Sequence, residues 1–141
     1  MDSINKAFNE LLLERSFPLK QENIAGGIMY KGQMDFGTKT VPFAISLISE
    51  QDQGIAQLAF YSIAQCISED QRIKWLHFIN EWNDIYGTGY YLCLGRDNQV
   101  YMRYVLSVSA QSVEQIFRGV ILGSTLVKQV VTEIEIQFSE N

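Results

Sequence analysis

The segment from Lys74 to Tyr91, KWLHFINEWNDIYGTGYY, holds the residue types in this chain that could best do chemistry. It places two Trp, one Phe and three Tyr around His77, the only histidine of the sequence. A histidine side chain can exchange protons near neutral pH, and aromatic rings can stack on a flat ligand. The segment is therefore a catalytic site, a ligand-stacking platform, or the inner face of a helix that leads into a strand.

Helical spacing favours the third alternative. On a helix, five apolar side chains share one stripe, of the kind that faces a sheet: Trp75, Phe78, Ile79, Trp82 and Tyr86. His77 falls on the opposite side together with Glu81 and Asp84, and no Ser or Cys accompanies it in a triad-like setting. We therefore predict that the aromatic residues lie in the core or in an interface, and that His77 faces water without a catalytic role.

The other residues that could carry chemistry do not form a recognisable motif. One histidine and two separated cysteines, Cys66 and Cys93, fall short of the four nitrogen and sulfur ligands of a typical zinc site. The GTG of residues 87–89 is too short for a dinucleotide-binding turn and precedes a strand, and no phosphate-binding loop occurs. We predict no catalytic residue, no metal and no cofactor, although a glycosidase-like pair of carboxylates would not be visible in sequence.

Composition and charge indicate one domain and exclude some partners. A chain of 141 residues that is 47% hydrophobic fits a single domain, residues 1–141. Its net charge is −5 and its Lys and Arg are scattered, which predicts binding to neither nucleic acid nor membrane. The N-terminal residues lack a basic region followed by an apolar stretch, so we expect no secretion signal. The two cysteines permit a disulfide without requiring one, and a reducing cytoplasm is the simpler location.

Apolar periodicity along the chain predicts an α+β fold. Helical spacing covers Asp2 to Arg15, residues 68–86, and a long segment from about Gln111 or Ser112 to about Phe138. Strand patterns cover residues 27–36, 41–49, 55–64, 89–95 and 100–108. Ser68 and Gln71 have the spacing of a capping box at the start of the second helix. The predicted order is α-β-β-β-α-β-β-α, a single antiparallel sheet of about five strands with helices packed on it.

The predicted helices carry more apolar surface than one sheet face needs. In the middle helix, Ile73 and Leu76 lie off the aromatic stripe. In the last helix, four residues extend the apolar stripe sideways: Gly119, Gly123, Leu126 and Val130. A helix that is apolar over half its circumference is covered by more than one neighbour, which is either a second helix of the same chain or a partner. We select these six residues as the candidate partner-binding or dimer surface, and closed two-fold dimers are the commonest oligomers.

The segment FINEWN (78–83), followed by YGTGYYLCLGRDNQVYMRYVLSV and a long amphipathic helix, resembles the YbjN-like family of bacterial proteins. The resemblance covers nearly the whole chain, and the NxWN element is its most specific part. It implies a fold similar to the small acidic chaperones of type III secretion, which are dimers that bind partner polypeptides. Members of the family have been described as regulators of sensory transduction. The resemblance selects Asn80, Trp82 and Asn83 as a structural signature and implies no catalytic residue.

Two functions from different classes follow from these patterns. The first is a non-enzymatic cytoplasmic module, chaperone-like or regulatory, that binds a peptide or protein partner and forms a homodimer. The second is an enzyme or small-ligand receptor with an aromatic-lined pocket between sheet and helix. A third alternative is that the protein is a building block of a larger assembly. A closed pocket with convergent polar groups would favour the second function, and an open apolar groove or patch the first.

Overall fold

A computed structural model describes residues 2–87 and 89–139. Within them the chain forms three helices and one sheet in α+β order, which confirms the predicted class. The elements are α1 (Ser3–Glu14), β1 (Lys20–Ile24), β2 (Gly27–Asp35), β3 (Thr40–Glu50), β4 (Gln53–Gln65), α2 (Glu69–Tyr86), β5 (Tyr91–Leu94), β6 (Gln99–Val108) and α3 (Glu114–Phe138).

The sheet is antiparallel throughout, with strand order β1-β2-β3-β4-β6-β5. The first four strands form a meander, after which β6 pairs with β4 and leaves β5 at the edge. Tyr30, Ile45, Leu58 and Tyr104 lie opposite one another on four neighbouring strands, and directly opposed residues share one face of a sheet. This row marks the inner face, which carries the hydrophobic core.

The sheet has six strands rather than the predicted five, because β1 was not predicted. The strand KQENI lies at the edge of the sheet and is exposed along most of its length. Since neither of its faces is buried, it lacks the apolar alternation by which a strand is recognised. Its hairpin to β2 turns through Gly26, whose φ of 78° is in the region that favours glycine.

Two predicted helix starts also differ from the structure. Ser68 is the N-cap residue of α2, but its side chain makes no capping hydrogen bond, so the predicted capping box does not form. The last helix begins at Glu114, after a turn in which the Ser112 hydroxyl accepts a hydrogen bond from the Ser109 amide at 2.8 Å. A serine at the right spacing permits a cap, but the spacing alone does not fix the direction of its hydroxyl.

All three helices contact the inner face or its edge. Phe8 of α1 packs edge-on against Tyr30 of β2, with ring centroids 4.9 Å apart. Gly119 of α3 sits over Leu58 of β4, while α2 packs beside β5 and against the C-terminal half of α3. The opposite face of the sheet is covered by no helix among the described residues, and we call it the bare face.

Candidate functional site

The bare face exposes aliphatic side chains on the central strands. Ile48 of β3, Ile55 of β4 and Val105 of β6 are 46%, 55% and 46% exposed. Ile48 and Ile55 lie directly opposite each other, and Val105 lies opposite Gln57 on the neighbouring strand pair. Aliphatic side chains held in contact with water on a flat sheet are typical of a surface that meets a partner.

The register of the sheet also brings positive charges together on the bare face. One row of opposed residues crosses all six strands, and we call it the basic row: Lys20, Lys31, Ala44, Ala59, Arg103 and Tyr91. Its three cations come from parts of the chain that are far apart in sequence. The row beside it contains one carboxylate, Glu22, whose Oε2 lies 2.5 Å from the Lys31 Nζ. The alternation of the strands places Asp35 and Glu50 on the same face, so the strand residues of the bare face include three cations and three carboxylates.

The bare face has a depression on its β1–β2 side. It is open, has a volume of about 780 Å³, and is lined by Lys20, Lys31, Gln33, Ala44 and Tyr61 among others. Ala44 and Ala59, which lie between Lys31 and Arg103 in the basic row, are only 7% and 2% exposed although no helix of the described residues lies over them. The bare face is thus concave beside β2 and β3.

A bulge in β4 lies beside Tyr61, which lines this depression. The register between β4 and β6 shifts between Phe60 and Ala64, and Ser62 has a φ of 53°. The extra residues let Tyr61 stay on the bare face, where its ring stacks on that of Tyr101 at 6.1 Å, while Ile63 returns to the core. Sequence patterns did not predict this bulge, since a serine with positive φ has no distinct signal.

The aromatic segment that looked most like a site lies mostly in the core. Trp75, Phe78 and Trp82 are nearly fully buried. The Trp75 ring stacks on that of Phe138 in α3, with centroids 3.7 Å apart and planes 11° apart. His77 lies on the exposed side of α2. The rings therefore join α2 to α3, and their faces are not presented to a ligand.

The three residues of the structural signature have different surroundings. Asn83 bridges α2 to β5, because its Nδ2 donates to the Leu92 carbonyl at 3.0 Å and its Oδ1 accepts from the Leu92 amide at 2.8 Å. The Trp82 Nε1 donates to the Gln129 Oε1 in α3 at 2.8 Å. Asn80 is exposed on the outer side of α2. Trp82 and Asn83 thus hold the corner where α2, β5 and α3 meet.

The predicted partner surface on α3 is wrong for three of its four residues. Gly119, Gly123 and Val130 are buried inside this chain, and Leu126 is partly buried. A Cβ built on Gly123 would lie 2.3 Å from the Phe60 Cε2, and one on Gly119 would lie 2.8 Å from the Leu58 Cδ2. The glycines let α3 approach its own sheet closely, so the sideways extension of the stripe is covered by the sheet. Ile73 and Leu76 of α2 are exposed, at 68% and 46%.

The depression beside the aromatic residues of α2 lies between two helices, rather than between sheet and helix, and it is small. Trp82, Tyr86, Glu81 and Glu133 line a depression of about 160 Å³ between α2 and α3. Ligand pockets usually enclose about 300–1,000 Å³. The depression brings two carboxylates near each other, but it leaves little room for a sugar ring or a comparable substrate.

A buried polar network joins α1 to the sheet, whereas the buried Trp75 Nε1 has no hydrogen-bond partner. The Tyr30 hydroxyl donates to the Asn5 Oδ1 at 2.6 Å, and the Asn9 Nδ2 donates to the Tyr30 Oη at 3.0 Å. Burial raises the pKa of Tyr30 to about 12, so its hydroxyl stays protonated and acts as a donor. This network joins α1 to β2, which is a structural role that the apolar pattern of α1 did not reveal.

The described residues form neither a metal-binding cluster nor a disulfide. No three His, Cys, Asp or Glu side chains of residues 2–87 and 89–139 are grouped to hold a metal ion. Cys66, which is buried, and Cys93, which is partly buried, are free thiols.

A helix that crosses a bilayer needs about 20 mostly apolar residues, and none of the helices in the described residues is long and apolar enough.

Comparison with models of known protein families and with curated proteins finds no match to this chain.

Proposed function

We propose that this protein is a non-enzymatic binding module, chaperone-like or regulatory, which docks a polypeptide partner on the bare face. The observation that supports the proposal is the one-sided sheet, since all three helices contact the inner face or its edge while Ile48, Ile55 and Val105 stay exposed on the other. A sheet needs only one covered face to fold, so a second face that exposes aliphatic side chains is available for binding.

The same geometry supports binding over catalysis. The depression on the bare face is open, and the aromatic depression between α2 and α3 is smaller than ordinary ligand pockets. The histidine of the chain is exposed on α2, away from the bare face. The resemblance to the YbjN-like family and its chaperone-like fold agrees with a protein that binds polypeptides in the cytoplasm, where its two thiols stay free.

A single substitution tests the proposal without disturbing the core. Ile55→Asp places a charge in the bare face, so we expect peptides selected on the wild-type protein from a random displayed library to bind the variant at least about tenfold more weakly, an effect near 1.4 kcal/mol. The matched control is Ile67→Asp, which changes a 75% exposed isoleucine outside the sheet. Equal binding to both variants, measured by fluorescence anisotropy, would contradict a partner site on the bare face.

We further propose that two copies associate through the outer side of α2. Ile73, Leu76, His77 and Asn80 follow the i, i+3, i+4, i+7 spacing of a helix-packing stripe and surround an open depression of about 340 Å³. A two-fold axis beside α2 would pack the two stripes against each other and would leave both bare faces accessible.

Light scattering at micromolar concentration measures this association. We expect a mass twice the 16.1 kDa of one chain for the wild type, and 16.1 kDa for the double variant Ile73→Asp, Leu76→Asp. The control variant Leu13→Asp changes an 82% exposed leucine on α1 and should stay dimeric. A wild-type mass of 16.1 kDa would rule out the dimer and leave the α2 stripe to another contact.

A further inference from the structure

We propose that the polypeptide partner contributes an extended segment that pairs with the end of β6, beside the bare face; this inference rests on the proposed function. β5 pairs with β6 only from Val100 to Arg103, whereas β4 pairs with β6 as far as Val108. Residues 104–108 therefore lie at an edge of the sheet, and we call this stretch the open edge. Among the described residues, it makes no backbone hydrogen bond outside its ladder with β4.

The hydrogen bonds of β5 show which groups of the open edge point outward. The Leu92 amide and carbonyl both bond to the side chain of Asn83, so they point away from β6. Neighbouring residues of a strand direct these groups to opposite sides, so the residue before Leu92 points its groups toward β6, where it lies opposite Arg103. The same alternation along β6 directs the N–H and C=O groups of Val105 and Ser107 outward. These four groups are available to an added strand.

The open edge differs in chemistry from the other edges of the sheet. β1 carries Lys20 and Glu22, and charged side chains keep an edge strand from pairing with other chains. On β5, the side chain of Asn83 occupies the outward groups of Leu92. The open edge has the uncharged sequence YVLSV, and its Val105 is 46% exposed. An uncharged edge of this kind is a template for a further strand.

The neighbours of the open edge define the side chains of the added segment. Residues opposite Val105 and Ser107 would lie on the bare face near Ile55, which is opposite Ser107 in β4. Residues between them would lie on the inner side, next to the partly buried Tyr104 and Leu106. A charged side chain would lose water on either side without gaining a partner. We therefore expect an uncharged segment, rich in β-branched and aromatic residues, with no proline where its amide must donate.

Two other occupants fit the open edge less well. If two copies of this chain paired about Leu106, Ser109 of the second copy would fall opposite Arg103, where Tyr91 already pairs. A helical segment satisfies its own backbone groups and would leave the four outward groups without partners. A free extended chain can begin to pair directly beside Tyr91, so it is the occupant that uses the whole open edge.

Amide hydrogen exchange, measured by NMR on the full-length protein, tests the inference. In the free protein, we expect the amides of Val105 and Ser107 to exchange at least about tenfold faster than that of Leu106, which points toward β4. A saturating peptide, selected on the wild-type protein from a random displayed library, should slow exchange at Val105 and Ser107 at least about tenfold. Exchange as slow as that of Leu106 in the free protein, or no slowing by the peptide, would overturn the added strand.

Ser107→Pro and Ser107→Val form a matched pair of variants. Proline removes the outward N–H without removing a bond to β4, and edge strands tolerate proline in this position, so the circular dichroism spectrum should stay unchanged. Valine keeps the N–H. By fluorescence anisotropy, we expect the selected peptide to bind Ser107→Pro at least about tenfold more weakly than the wild type, and Ser107→Val within about twofold.

Methylation of the peptide backbone gives the same test without a protein variant. Methyl groups on the amides of one alternate set of residues should abolish binding, and those on the other set should not, because only one set faces β6. Equal binding of both methylated peptides would overturn the added strand. Peptides that lose binding to Ile55→Asp but keep it to a folded Ser107→Pro would overturn the added strand and leave the proposed function in place. No enrichment above that on the Ile55→Asp protein would overturn both.

Discussion

Replacing Trp82 by alanine is expected to lower the free energy of unfolding by about 3–5 kcal/mol, the range seen when large aromatic residues are removed from cores. The Trp82 side chain is 3% exposed, its ring lies 5.5 Å from that of Tyr86, and its Nε1 donates to the Gln129 Oε1 at 2.8 Å. Truncation would leave a cavity between α2 and α3 and an amide oxygen without its indole donor. Urea unfolding, followed by circular dichroism, measures the change.

Leu13→Ala is the control for this substitution, because Leu13 is 82% exposed on α1 and should change stability by less than about 0.5 kcal/mol. If Trp82→Ala unfolded at the same urea concentration as the wild type, Trp82 would not anchor the fold. The aromatic segment of α2 would then again be a candidate platform for a ligand.

The second large loss of folding stability is expected for Gly123→Val. A Cβ at this position would lie 2.3 Å from the Phe60 Cε2 and 2.6 Å from the Tyr90 Oη. The Tyr90 hydroxyl cannot move freely, since it donates to the Gly119 carbonyl at 2.8 Å. The added side chain would push α3 away from the sheet, and we expect a loss of about 1–3 kcal/mol or more, as in other overpacked cores.

Thr125→Val provides the comparison two residues further along α3. Thr125 is exposed, and valine keeps its shape, so we expect a change within about 0.5 kcal/mol. A Gly123→Val protein as stable as the wild type would mean that α3 can leave the sheet at little cost. The predicted partner surface on Gly119 and Gly123 would then become accessible.

The α2 helix shows what periodicity can predict. Its apolar residues recur at helical spacing, and four of the five residues of the predicted stripe, Trp75, Phe78, Ile79 and Trp82, are buried. The fifth, Tyr86, lies at the end of the helix and is 39% exposed. The prediction succeeded because the stripe depends only on local geometry.

The glycines of α3 show the limit of the same reasoning. Spacing identified a close contact there, but whether the neighbour is a sheet, a helix or a partner is decided by residues elsewhere in the chain.

The bare face could not be predicted for a different reason. Lys20, Lys31 and Arg103 share a row only because the register of four neighbouring strand pairs places them there. A shift of one residue in any pair would move a cation to the inner face. In sequence the basic residues are therefore scattered, and only the register of the sheet brings these three into one row. The edge strand β1, which carries Lys20, was itself missed.

The most direct test of the bare face as the partner site is site-specific photocrosslinking in the cells that make this protein. A benzophenone amino acid replaces Gln57, at the centre of the bare face, or Glu10, which is exposed on α1. We predict a discrete crosslinked adduct from Gln57 that a peptide selected on the wild-type protein competes away, and no such adduct from Glu10. The same adduct from both positions, or an adduct from Glu10 alone, would contradict a partner bound on the bare face.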